Sequence, residues 1–138
     1  MKKSNMSQFY TLLDEFLVYL EAEFRSCKLQ EDVVVIRTYR NGIKLLKSTN
    51  VRLVIESFWI CIKPHISEIM KCDENYFLSA DLVSFGLERD NGSLKHGLRI
   101  KELWSLNTIS PQIKNEIWDC LHKLVNLASL VIDGHVIS

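Results

Sequence analysis

The chain has 138 residues and a mass of 16.0 kDa, room for one ordinary domain and too little for two. Apolar residues make up 47% and charged residues 25%, the balance of a folded globular chain rather than a disordered one. Lys plus Arg equals Asp plus Glu at 17 each, which argues against a surface built throughout for nucleic acid or anionic lipid, and 5 Gly and 2 Pro are too few for a turn-rich sandwich.

The chain opens Met1-Lys2-Lys3-Ser4-Asn5, and Asp14 and Glu15 interrupt the apolar run that follows, so a secretory signal is not expected. The first periodic segment covers residues 7–25. Phe9, Leu12, Leu13, Phe16, Leu17, Leu20 and Phe24 recur at spacings of three and four, which predicts a helix with one apolar face, capped at its start by Ser7. A second helix is predicted over residues 30–47. Glu31 and Asp32 stand at the positive end of its dipole, and Lys44 and Lys47 at the negative end. The β-branched run Val33-Val34-Val35-Ile36 competes for a strand, and Asn41-Gly42 is a turn dipeptide in hairpins. The continuation of the pattern through Tyr39, Ile43 and Leu46 decides for helix.

A third segment follows Asn50, a candidate N-cap, and carries Val51, Val54, Ile55, Phe58, Trp59 and Ile62. Pro64 lacks a backbone donor, so a kink is expected near Lys63, with a short continuation through Ile66, Ile69 and Met70. Residues 72–77 read as a turn into a brief helical piece. Gly86, Asp90, Asn91, Gly92 and Ser93 mark a flexible loop around 84–97, and a short helix is expected over residues 98–106. The last helix spans residues 110–132. Ser110 caps it, Pro111 takes the first helical position, Ile113, Ile117, Trp118, Leu121, Leu124, Val125, Ala128 and Val131 make its stripe, and Gly134 stops it. The fold class is therefore all-α: a single compact bundle of about four to five main helices over residues 1–138.

Chemistry-bearing constellations are sparse. Cys61 and His65 share a helical spacing, but Pro64 lies between them; Cys120 and His122, two apart, point to different sides. Four ligands for a structural zinc ion do not assemble from local spacing, so no metal site and no cofactor are expected. No G-x-S-x-G elbow, P-loop or G-x-G-x-x-G occurs, so no enzyme and no small-molecule substrate are expected. Asp119 and His122 are placed for a hydrogen bond or ion pair along the last helix. Cys27, Cys61, Cys72 and Cys120 read as reduced thiols, and a cytoplasmic setting follows. The longest nearly uncharged runs are too short to span a bilayer.

Arg37, Arg40, Lys44 and Lys47 follow at spacings of three, four and three, which lines four cations along the second helix. Residues 28–52 carry a net charge of +4 (six basic, two acidic) and residues 53–90 a net charge of −4 (three basic, seven acidic). The stripe is either a solvated face paired in part with the acidic segment, or a phosphate-binding face. Trp118, Leu121 and Val125 on the last helix, with Val136 and Ile137 in the apolar tail, are candidate anchors for a protein partner or a second copy of the chain. Trp104 is expected to pack near Trp118.

The run Ile100-Lys101-Glu102-Leu103-Trp104, a short spacer, and then the stretch from Ser110 to Leu124 containing Ile117-Trp118-Asp119-Cys120-Leu121 resembles a closing I-W-x-x-L-x-x-L signature of small helical proteins of nucleocytoplasmic large DNA viruses. Phe16-Leu17-Val18-Tyr19-Leu20-Glu21 resembles the leading F-L-x-x-L-E-like helix of that group, and Asp73-Glu74-Asn75-Tyr76-Phe77 its central D-E-x-x-F element. The chain departs from the group around Cys120, where an aromatic is usual, and in a longer loop from 84 to 97. The resemblance implies a viral origin, a helical domain and residence in the host cytoplasm or the virion. It implies no activity. Three functions stay open: a non-enzymatic interaction or structural protein, a nucleic-acid-associated module using the basic stripe, and a bundle that captures a host helix in an apolar groove.

Overall fold

Phe9, Leu13, Phe16, Leu20 and Phe24 all turn inward in the computed structural model, which describes residues 4–79 and 110–134. Their spacing forces that result: at 3.6 residues per turn they share one face, and only a helix buries them together. The helix they define, α1, runs Asn5–Ser26. Its cap is Ser4 rather than Ser7. The Ser4 hydroxyl accepts a hydrogen bond from the Ser7 amide at 3.1 Å, so Ser7 supplies a donor instead of capping.

A tight connection leads from α1 into α2, Gln30–Thr49. Lys28 takes the left-handed backbone conformation there (φ 63°), and the Leu29 amide reaches back to the Phe24 carbonyl at 2.8 Å. The β-branched run inside α2 obeys the helical period: Val33 and Ile36 are buried while Val34 faces solvent. Asn41-Gly42 makes no turn, because Tyr39 and Ile43 on either side are both anchored in the core.

The chain then turns through residues 50–52 into α3, Leu53–Ile62. Asn50 stabilises the turn rather than the helix: its side-chain oxygen accepts from the Arg52 amide at 3.3 Å, one residue before α3 begins. Pro64 breaks the helix as expected. The backbone tightens to a 3-10 turn over Lys63–His65 and resumes as α4, Ile66–Met70. Cys72 adopts φ 55° in the turn that follows, and the Asp73 carboxylate accepts from the Tyr76 amide at 3.0 Å, capping the short α5, Glu74–Ser79.

The last helix described, α6, runs Pro111–Ile132. Both of its sequence-predicted ends hold. The Ser110 hydroxyl accepts from the Ile113 amide at 3.2 Å, and Gly134 takes φ 81° while its amide bonds the Ser129 carbonyl at 2.9 Å. The protein is an all-α bundle, and among the described residues every regular element is helical. Residues 84–97, the helix expected over 98–106 and the tail residues Val136 and Ile137 lie outside the described residues.

The core sits between α1, α2, α3 and α6. α1 is its centre, packed against α6 on one flank and α2 on the other, while α3 lies across α6 and α2. Phe9 of α1 meets Phe58 of α3 edge to face at 5.4 Å between ring centroids. Ile36, Tyr39, Ile55, Ile62, Ile117 and Leu121 fill the rest. α6 is therefore the buried spine its stripe predicts: Ile117, Leu121, Val125 and Ala128 have no exposed surface.

Candidate interaction surface

The basic stripe of α2 is the first candidate, and the fold turns much of it toward α1. Arg40 donates from Nε to Asp14 Oδ1 at 2.9 Å, and its Nη1 lies 3.7 Å from Glu21 Oε1. Arg37 Nε reaches Glu21 Oε2 at 3.4 Å, and Arg25 of α1 reaches the same oxygen at 2.8 Å. One nearly buried carboxylate thus stands among three guanidiniums. The Arg40 pKa is raised, first by its hydrogen bond to Asp14 and further by the charges of Asp14 and Glu21. Lys47 places its ammonium 5.3 Å from the Tyr10 ring centroid, a cation–π distance. Lys44 is exposed, beside Asp14 and Glu15 in a cleft of about 380 Å³ between α1 and α2. The stripe is real, but its counter-charges come from α1. The partial pairing expected with the acidic segment 53–90 is not what holds Arg37 and Arg40.

Trp118, Leu121 and Val125 face the interior. Trp118 keeps 7% of its surface and the other two none, so they fill the core against α1, α3 and α4 and present no anchor to a partner. Their spacing gives a face that must be covered, and the chain's own helices cover it. Val136 and Ile137, the tail candidates, fall outside the described residues.

Cysteine and histidine chemistry is muted. The His122 ring nitrogen Nε2 lies 2.8 Å from the Ile69 carbonyl oxygen and 3.6 Å from Cys72 Sγ. A carbonyl only accepts, so that nitrogen carries the proton and cannot take one from the thiol. Burial also raises the Cys72 pKa, which keeps the thiol protonated and is the wrong direction for a nucleophile. The Cys120 thiol is raised as well, by burial first and by the carboxylates of Asp119 and Glu116 next. Asp119 pairs with Lys123 at 2.9 Å, not with His122. Cys27, Cys72 and Cys120 are free thiols, and no group of three or more metal-ligating side chains occurs among the described residues. No described helix is long and apolar enough to cross a membrane.

The feature left is a groove between α1 and α6, with a volume of about 460 Å³. Its walls are two short stripes. On α1 they are Gln8, Thr11, Leu12 and Glu15; on α6 they are Lys123, Asn126, Leu127 and Leu130. Each set follows i, i+3, i+4, i+7, the spacing of one helical face, and each lies beside the stripe that its helix buries. Leu12, Leu127 and Leu130 are half-buried and form the floor, while Gln8, Thr11, Glu15 and Lys123 stand exposed at the edges. The two helices run antiparallel here. Glu116 acts electrostatically on Tyr19 and Glu15 on Cys120, so ascending numbers on α1 meet descending numbers on α6. Of the groove residues only Leu12 belongs to the apolar periods read from the sequence. Leu127 and Leu130 flank the α6 stripe, and the signal that pointed to them was a helix with more leucines than one face needs.

Compared with known proteins, the chain matches no family model, no curated protein and no solved structure.

Proposed function

We propose that the chain is a non-enzymatic protein-interaction domain that binds the apolar face of a helix in the α1/α6 groove and, on the resemblance of its closing run, that it is encoded by a large DNA virus and acts in the host cytoplasm. The observation that carries the interaction reading is the second apolar stripe. α1 and α6 each spend one face on the core, and each keeps leucines on an adjoining face open to solvent. Leucine-floored grooves between two long helices suit a helix that lays its own apolar residues into them. Scattered exposed residues elsewhere, such as Val34, Leu45 and Ile60, need no such account, because single apolar residues on a surface are ordinary. The basic stripe supports a nucleic-acid role less, since Asp14 and Glu21 occupy the guanidiniums that phosphates would need.

The test is a photo-reactive amino acid placed at position 127 in the groove and, as control, at position 45 on the outer face of α2. In host-cell extract, position 127 is expected to give discrete protein adducts that disappear when Leu12→Asp is added, and position 45 none. Equal adduct patterns from both positions, or no adduct from 127, would overturn the reading.

A further inference from the structure

Resting on the reading of the groove as a protein-binding face, we infer that its occupant is a second copy of this chain, related by a two-fold axis running along the groove. The argument is the order of residues on the two walls. Because α1 and α6 are antiparallel, residues at one level have numbers of nearly constant sum: Glu15 lies level with Lys123, Leu12 with Leu127, and Thr11 with Asn126. A two-fold axis along the groove exchanges the walls while keeping the levels. Glu15 then faces the second copy's Lys123, Leu12 faces its Leu127, and Thr11 faces its Asn126. Each contact is made twice. Acid meets base, leucine meets leucine, and a hydroxyl meets an amide.

The alternative axis, across the groove, reverses the levels and sets Glu15 against Gln8. It loses the charge match. Along the groove, α1 of one copy also runs antiparallel to α6 of the other, which is the arrangement of a four-helix bundle. The last level, Gln8 with Leu130, is mixed and forms the polar end of the face. Lys123 is available for the contact: its side chain is 61% exposed, and its intrahelical pair with Asp119 is an exposed one of small worth.

The experiment is sedimentation of the full chain and two charge-reversed chains, each checked for helicity by circular dichroism. The unaltered chain is expected to reach twice its 16.0 kDa mass as concentration rises. Glu15→Lys alone sets lysine against lysine in the homodimer and is expected to dissociate it by about tenfold or more in Kd; Lys123→Glu alone does the same with acids. Mixing the two altered chains pairs every lysine with a glutamate and is expected to restore the dimer. Effects of either change within its own chain cannot produce that restoration. A chain that stays monomeric at millimolar concentration, or a dimer indifferent to both reversals, or a mixture that fails to pair, would overturn the inference. If the monomeric chain still gives discrete foreign adducts from position 127, the groove reading stands and only the second copy falls.

Discussion

Arg40 and Asp14 join the middle of α2 to the first half of α1, with Arg40 Nε donating to Asp14 Oδ1 at 2.9 Å and Nη2 standing 3.4 Å from Oδ2. The same guanidinium leans on Glu21, one level deeper, where Arg25 and Arg37 also converge. The helix pair is therefore fastened by a graded set of charges: Asp14, 44% exposed, at the outside and Glu21, 12% exposed, within. Depth decides their worth, because an ion pair in water is screened and a hydrogen-bonded carboxylate in a nearly dry setting is not.

Glu21→Gln should for that reason cost more than Asp14→Asn. The first removes the charge on which three arginines converge and is expected to cost about 1–2 kcal/mol; the second should cost less than about 1 kcal/mol. Urea unfolding of the two variants measures the difference. Equal losses would show that burial does not grade the cluster.

Two backbone positions should accept exchanges that raise stability. Gly42 lies inside α2, and a Cβ built there meets nothing within 4 Å. Gly42→Ala is expected to add about 0.5–1 kcal/mol by restricting the unfolded chain and improving helix propensity. Lys28 holds φ 63°, a conformation that disfavours a side chain, so Lys28→Gly is expected to be neutral or to gain up to about 1 kcal/mol. Thermal melts read both. A lower melting temperature for Gly42→Ala would mean that its helix face is not open.

Alkaline pH should loosen the bundle. Burial raises the pKa of Tyr10 above 10.0, and it does the same to Tyr19 and, above 9.0, to Cys120. The folded chain holds these protons more tightly than the unfolded chain. Their contribution is complete below the ordinary values and is lost as pH rises from there through the higher folded values. Tyr10 has the most at stake, since its hydroxyl donates to the Val51 carbonyl and so ties α1 to the turn before α3. Tyr10→Phe should lower stability by about 1 kcal/mol at neutral pH and flatten the alkaline decline. Melting temperatures of both chains between pH 8 and 11 test this. An unchanged slope in the variant would remove Tyr10 from the account.

The helices themselves were written plainly in the sequence. Ser110-Pro111 and Gly134 bracket α6 because caps are local chemistry, and Pro64 places its break for the same reason. What one segment says about another was harder to read. The α2 cations look like a free stripe until the 27–29 turn folds α2 back along α1; then Arg40, twelve residues after Lys28, comes level with Asp14, fourteen before it. That pairing follows from the turn, so it was legible only once the hairpin was assumed. Trp118 misleads for a related reason. An aromatic on an amphipathic face serves a core or an interface equally well, and only the number of helices packed against it decides. Leu127 and Leu130 escaped notice because they sit beside a strong stripe and widen it by one row instead of forming a separate period.

The central claim is that this extra row is a binding face and not part of the core. Thermal unfolding of Leu127→Ser, read beside Leu121→Ala at a concentration where the chain is monomeric, tests it most directly. Leu121 has no exposed surface, and its truncation should cost about 2–5 kcal/mol. Leu127, half-buried at the floor of an open groove, should cost about 1 kcal/mol or less when changed to serine, because much of its surface is already in water. Losses of equal size would place Leu127 in the core and contradict the claim.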